Sequence, residues 1–327
     1  MRTLQCHLCP KSCLIAPGDR GACRIRYNRD GKLVLLTYSR PCAIHIDPIE
    51  KKPLFHFSPG GNILSIATAG CNLHCKNCQN WQISQSNPED VPSYKMGPGD
   101  IVSLTREKNC SMIAYTYTEP LAFYEYTLDT SILAKSFGLK NVLVTAGYCN
   151  EKPLKKLFRY IDGVNVDLKF FNDAAYRKIT SGSLKPVLDT LVLAKETNLW
   201  LEITHLVIPT INDNMSDIAR MCLWIKKTLG EDVPLHLSRF QPHYLMRNIP
   251  ATSYQTLQQS YKIAKDAGLE YVYIGNIYGI EEANTYCPNC KNLLIERIGY
   301  RVMQNKIEKK HCPYCLEIIA GVWQNSI

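Results

Sequence analysis

The sequence predicts an α/β chain, a full or partial TIM-like β/α barrel with small cysteine-rich metal-binding segments at both ends. Three observations predict it. Short runs rich in β-branched and aromatic residues alternate with helix-period stretches over about 215 residues. Eleven of the fifteen cysteines fall into three tight groups, one before, one at the start of and one after that alternation. Apolar residues make up 46% and charged residues 20% of the 327 positions, an ordinary globular mixture that excludes a disordered chain.

The strands are predicted at 62–70, 112–118, 141–147, 163–169, 200–209, 234–240 and 270–276. Helices are predicted at 123–137, 153–160, 185–197, 217–228 and 254–268. Gly138 and Gly268 stand where helix-ending glycines belong. Repeated strand–helix units imply parallel strands with right-handed crossovers, and a doubly wound sheet is the structural competitor. In a barrel the chemistry sits at the C-terminal ends of the strands. The expected division is an N-terminal four-cysteine segment (1–45), the barrel (46–280) and a C-terminal ribbon (281–327).

No run approaches the roughly 18 apolar residues of a membrane span. The start, MRTLQCHLCP, lacks the apolar core of a secretory signal. An odd number of clustered cysteines in a chain of this length points to a reducing cytoplasm and cysteine-bound metal, not to a disulfide scaffold. Cys42, Cys110, Cys149 and Cys222 lie outside the clusters.

Cys71, Cys75 and Cys78 form a C-x3-C-x2-C loop directly after the first barrel strand. Three thiolates there can hold three irons of a four-iron cluster and leave the fourth iron open for a substrate; the alternative is three buried or zinc-binding cysteines. At the C-terminus, Cys287-x2-Cys290 and Cys312-x2-Cys315 are separated by 21 residues, a zinc-ribbon spacing with a predicted hairpin between the knuckles. Near the N-terminus, Cys6, Cys9, Cys13 and Cys23 suit zinc or an auxiliary [4Fe-4S] cluster by count, and Pro10, Gly18 and Gly21 favour a compact zinc knuckle.

Period-two geometry places Asn165, Asp167 and Lys169 on one face of the fourth strand and Val166 and Leu168 on the other. A polar barrel-facing edge suits a ligand. Glu202 and Thr204 share the parity of Ile208, and His236 and Ser238 lie on one face of the sixth strand. Arg239, His243 and Cys149 fall near strand ends. Of these, Glu202, His236 and Cys149 are the candidates for orienting a substrate or donating a proton.

The cluster loop in GCNLHCKNCQNWQISQ (70–85) resembles that of the radical S-adenosylmethionine (radical SAM) superfamily. Together with DPIEKKPLFHFSPG (47–60), IAYTYTEP (113–120), IPTIND (208–213), HLSRFQP (236–242) and YVYIGN (271–276), it resembles most closely the AmmeMemoRadiSam-system radical SAM enzymes. These are relatives of the activating enzymes of glycyl-radical proteins. The resemblance implies a [4Fe-4S] cluster whose open iron chelates S-adenosylmethionine, which one electron cleaves to methionine and a 5′-deoxyadenosyl radical. That radical takes hydrogen from a substrate.

It also implies residue roles. Thr118 and Glu119 stand in the turn that receives the methionine ammonium, although Tyr117 and Thr118 replace the family's paired glycines. Asp167 and Lys169 match the pair that meets the sulfonium side and the carboxylate. Ile208 matches the apolar position on adenine, and Thr145 and Gly147 match a cofactor-facing turn. Asn77 replaces the aromatic residue that usually precedes the last cluster cysteine.

A small molecule is the expected substrate, and the family's habitual Memo-protein neighbours, which resemble ring-cleaving dioxygenases, point to an aromatic one. The alternatives are a protein glycine, as in activating enzymes, and radical methyl transfer. A zinc-containing nucleic-acid-binding protein is the competing class, favoured by the formal net charge of +9. It leaves the three-cysteine loop unexplained. Counting an open cluster as one negative charge and each four-cysteine site as two lowers the +9 to +4. That surplus disfavours nucleic acid and still attracts an acidic flavodoxin or ferredoxin. A Memo-family protein is the other expected partner.

Overall fold

The computed structural model of the chain describes residues 2–197 and 199–323, so the extreme ends of the two predicted terminal segments lie outside the described residues. Eight strands form one sheet: β1 (Ala43–Pro48), β2 (Asn62–Ala67), β3 (Met112–Tyr115), β4 (Lys140–Thr145), β5 (Gly163–Asp167), β6 (Trp200–Val207), β7 (Leu235–Arg239) and β8 (Val272–Gly275). They are hydrogen-bonded in that order, and all neighbours are parallel except β1, which runs antiparallel to β2. Strands β1 and β8 are the two edges of this sheet, so the α/β barrel is partial. The seven parallel strands are those expected from the sequence; β1 is an addition.

Among the described residues, seven helices of eight or more residues follow: α1 (Pro98–Glu107), α2 (Tyr124–Ser136), α3 (Glu151–Phe158), α4 (Asp173–Thr180), α5 (Leu184–Glu196), α6 (Met215–Leu229) and α7 (Tyr254–Asp266). Three of their starts are locally encoded. Asn172, Asn214 and Ser253 each accept a hydrogen bond from an N–H of the first turn of α4, α6 and α7. Buried residues from these helices and from the parallel strands share one large apolar cluster.

The lower mouth of the barrel, at the N-terminal ends of the parallel strands, is filled by the β1–β2 connection. Ile49, Leu54 and Phe57 from it are fully buried with Ile63, Met112, Ala114 and Val142 of the strands. The C-terminal segment covers this plug. Its hairpin, Leu293–Ile298 with Arg301–Asn305, is the one predicted between the cysteine knuckles. Arg297, fully buried, donates to the Phe55 carbonyl and to Thr285 Oγ1, both at 2.8 Å. Val322 N donates to the His56 carbonyl at 2.7 Å, and Ser58 N donates to the Val322 carbonyl at 2.7 Å.

Burial pushes the imidazole of His56 down to about 4. It is therefore neutral, with Nδ1 donating to the Ala320 carbonyl at 2.6 Å and Nε2 accepting from Tyr273 Oη at 2.5 Å. No described helix is long and apolar enough to cross a membrane.

Candidate active site

The opposite mouth, at the C-terminal ends of the parallel strands, carries the three-cysteine loop. It starts at Gly70, whose φ of +89° favours glycine and whose N–H donates to the Ile83 carbonyl at 2.8 Å. A Cβ at Gly70 would lie 2.6 Å from the Cys23 carbonyl oxygen, so only glycine lets the loop start this close to the N-terminal segment. Backbone N–H groups of His74 and Lys76 donate to the carbonyls of Thr180 and Ile179, tying the loop to the end of α4. Cys71, Cys75 and Cys78 are partly exposed. Burial pushes the Cys75 thiol up to about 12, and the nearby charge of Lys169 pulls it back. Three sulfurs on one short loop beside a cation fit a cluster with three protein-ligated irons and one open iron.

Residues from successive strand ends converge here. Glu119, in the turn after β3, is 1% exposed. Its carboxylate accepts from Thr145 Oγ1 (2.6 Å), Ala146 N (2.8 Å) and Leu121 N (3.0 Å). Burial raises its pKa, while those hydrogen bonds and the Lys169 charge oppose the rise. Thr118 Oγ1 donates to the Thr68 carbonyl at 2.9 Å. Glu119 is thus the anchor of the β3 and β4 turns, brought together with Thr145. Gly147 continues that turn at φ +65°, its N–H donating to Thr145 Oγ1 at 3.0 Å.

Lys169 and Asp167 form an ion pair of 2.8 Å with side chains 21% and 35% exposed. Burial works against the lysine charge, yet Asp167 and the Cys75 sulfur hold its pKa above the usual lysine value. Ile208 is buried at the end of β6, and its N–H donates to Asn212 Oδ1 at 2.6 Å. Asn212 Nδ2 in turn donates to the carbonyls of Leu206 (2.8 Å) and Lys169 (3.1 Å). One side chain therefore fixes the strand ends that carry Lys169 and Ile208. Its signal in the sequence is the last Asn-Asp of IPTIND.

Other residues here escape sequence reasoning. Trp81 and Tyr244 stack at 5.1 Å with an interplanar angle of 13°. Leu245 N donates to the Lys76 carbonyl at 3.0 Å, so the chain after β7 closes onto the cluster loop. Lower down, paired with Ile63 near the start of β2 and reached by the Tyr117 hydroxyl, Asp47 accepts from Lys52 at 2.6 Å and from Lys51 at 2.8 Å. Burial opposes its charge, but the hydrogen bonds from Lys51, Lys52 and Tyr117 hold the carboxyl well below the usual range.

Two of the three candidates for acid–base work, Glu202 and His236, are placed elsewhere, which corrects that expectation. Glu202 and His236 do meet, with His236 Nε2 donating to Glu202 Oε2 at 2.6 Å, but at the lower mouth. Glu202 also accepts from Phe55 N, His56 N and Trp200 Nε1 at 2.8–2.9 Å, so the pair clamps the plug. Five residues of β6 follow Glu202, roughly 16 Å of strand before the upper mouth. Cys149 is buried at the upper mouth, where its thiol donates to the Leu8 carbonyl of the N-terminal segment at 3.1 Å.

Cys287, Cys290, Cys312 and Cys315 have all four sulfurs within 4.8 Å of one another. The pairs Cys287–Cys315 and Cys290–Cys312 are 3.6 Å apart. Hydrogen bonds from the backbone and side chain of Asn292 pull the Cys290 thiol down to about 6. The set fits one tetrahedral ion, since Zn–S bonds of ~2.3 Å put sulfurs ~3.8 Å apart.

Comparison with known proteins agrees with this arrangement. The Radical SAM superfamily profile matches residues 65–222, which run from β2 through the cluster loop into α6. Protein MJ0808 of Methanocaldococcus jannaschii is 44% identical over 318 residues, covering 97% of this chain and 95% of its own. The pyruvate formate-lyase-activating enzyme of Clostridium pasteurianum is 22% identical over 215 residues, covering 60% of this chain and 87% of its own.

Among solved structures, a radical SAM methyltransferase from Sphaerobacter thermophilus shares the fold at TM-score 0.52 and 14% identity, covering 68% of each chain. Streptococcus suis SuiB bound to S-adenosylmethionine does so at TM-score 0.53 and 10% identity, covering 72% of this chain and 53% of its own. With a three-cysteine loop at the C-terminal mouth of a partial barrel, and polar strand ends gathered around it, the chain belongs to the radical SAM superfamily and is an enzyme of that class.

Proposed function

We propose that the chain abstracts hydrogen from a small, flat organic molecule at the upper mouth of the barrel. Cys71, Cys75 and Cys78 would hold a [4Fe-4S] cluster that binds S-adenosylmethionine and supplies the 5′-deoxyadenosyl radical. Lys169 is already charged, and it exchanges Asp167 for the methionine carboxylate. Glu119 holds the β3 and β4 turns in place from beneath. Ile208, fixed by Asn212, gives adenine an apolar surface, and the Trp81–Tyr244 stack supplies the flat aromatic surface that Asn77 does not.

The observation that supports a small substrate is the roof. Lys11 Nζ of the N-terminal segment donates to the Ser181 carbonyl at 2.8 Å, and the chain after β7 closes on Lys76. A protein loop carrying a glycine needs a wide groove there. The likeness to a pyruvate formate-lyase-activating enzyme favours the second reading, activation of a protein glycine. Isotope labelling separates them: deuterium passes into 5′-deoxyadenosine from a labelled small molecule under the first reading and only from a labelled protein under the second. A labelled methyl group of S-adenosylmethionine appearing in product would contradict both and favour methyl transfer.

The C-terminal four-cysteine set is proposed to hold zinc that ties the ribbon to the plug. The surplus of positive charge suits an acidic one-electron carrier such as flavodoxin or ferredoxin, and a Memo-family protein of the same pathway remains the proposed second partner.

Replacing Lys169 by alanine is expected to raise the KM for S-adenosylmethionine about 10- to 100-fold, the worth of one charge-assisted hydrogen bond. Stability should stay within about 0.5 kcal/mol of wild type, as for other partly exposed ion pairs. Steady-state kinetics of 5′-deoxyadenosine release checks it; an unchanged KM means that Lys169 only pairs with Asp167.

A further inference from the structure

The four N-terminal cysteines differ from the C-terminal four in a way that identifies their ligand. Cys6, Cys9, Cys13 and Cys23 all line one concavity. Among the described residues, the only group of three or more potential ligands within 4.8 Å of one another is the C-terminal one. The N-terminal sulfurs are therefore spread more widely than the ~3.8 Å that a single tetrahedral zinc imposes. A four-iron cube carries each thiolate on its own corner and needs the wider spacing.

The pocket wall points to an anionic occupant. Arg26 lines it, is 5% exposed, and leaves its Nε without a partner even though its two terminal nitrogens grip Glu125 at 2.8 Å. Asn72 lines it too, 2% exposed, with its amide donating to the Tyr148 carbonyl at 2.7 Å and its side chain within hydrogen-bonding reach of Cys9. Asn72 is also the residue after Cys71. Gly70, on the other side of Cys71, touches the Cys23 carbonyl. Residues 70–72 thus form a common wall between the two cysteine sites.

We propose that Cys6, Cys9, Cys13 and Cys23 hold a second [4Fe-4S] cluster, and that it passes electrons through the 70–72 wall to the cluster of Cys71, Cys75 and Cys78. The cysteines of the N-terminal site are partly exposed, within reach of a donor. One electron from a low-potential one-electron carrier protein takes this cluster from its oxidised to its reduced state. Passing it on reoxidises the first cluster and reduces the second, with no atom transferred. The inference rests on the proposed function only for the identity of the neighbouring cluster, and it replaces the zinc knuckle favoured by Pro10, Gly18 and Gly21.

The test is metal content of the full chain after anaerobic reconstitution with iron, sulfide and zinc. A variant with Cys71, Cys75 and Cys78 all changed to alanine should keep about four irons and one zinc. Two zincs and no iron would overturn the proposal, whatever the enzyme does to S-adenosylmethionine. Should that variant not fold, the wild type should hold about eight irons, falling to about four in Cys9→Ala/Cys23→Ala; four irons and two zincs in the wild type also overturn it. In the reduced wild type, two clusters sharing a wall should give a spin-coupled, broadened electron paramagnetic resonance spectrum. Two independent narrow signals would overturn the relay.

Discussion

Changing Cys75 to alanine should abolish 5′-deoxyadenosine formation, a loss of at least about a thousandfold, because the cluster that carries the chemistry loses a ligand. The fold should survive. Cys75 sits in a loop whose backbone is held by other bonds, His74 and Lys76 to the end of α4 and Cys78 N to the Cys75 carbonyl. Chromatography of the reaction products, with circular dichroism for the fold, checks both parts. Retained cleavage in this variant would remove the three-cysteine loop from the mechanism.

The second large effect is on stability. Glu202 is fully buried and accepts four hydrogen bonds, two on each oxygen, from Phe55, His56, Trp200 and His236. Burial opposes its charge, yet the hydrogen bonds, that from His236 above all, hold its pKa below the usual carboxylate value. Glu202→Ala leaves four buried donors without an acceptor and should cost about 3–5 kcal/mol. Glu202→Gln is not a mild change here. Each carboxylate oxygen faces two donors, so wherever the amide nitrogen lies it meets N–H groups, and a loss of about 2–3 kcal/mol is expected.

Urea unfolding measures both variants. The folded fraction of Glu202→Gln should still cleave S-adenosylmethionine at a rate near wild type, since the residue belongs to the plug. A variant as stable as wild type but inactive would restore Glu202 to the chemistry.

That residue shows where the sequence stops being legible. Strand parity placed Glu202, Thr204 and His236 on the correct, inner face. Parity does not give height along the strand, and in a barrel height separates a structural clamp from a reacting group. The seven parallel strands were legible because each is a short β-branched or aromatic run between helical periods. Strand β1 was not, since AIHIDP at the antiparallel edge is half-exposed and has no apolar run.

Helices α1 and α4 were missed for a similar reason. Helix α1 opens on Pro-Gly, which reads as a turn, and α4 is only eight residues long. The cluster loop and the ribbon were legible because cysteine spacing alone encodes a metal site. Contacts between distant segments were not. Cys149 looks like a free strand-end thiol until Leu8, 141 positions away, is seen to accept its hydrogen bond. The same applies to Arg297 beneath Phe55 and to Asn72 between the two cysteine sites. Spacing also left the N-terminal four undecided between zinc and iron, because it counts ligands without giving the distance between them.

The most direct measurement is the product balance of the anaerobically reconstituted wild-type protein with dithionite and S-adenosylmethionine. An enzyme that opens the sulfonium at a cluster held by Cys71, Cys75 and Cys78 yields 5′-deoxyadenosine and methionine in equal amounts. Intact S-adenosylmethionine after full cluster loading, together with tight RNA binding at moderate salt, would contradict it and return the chain to the class of zinc-containing nucleic-acid-binding proteins.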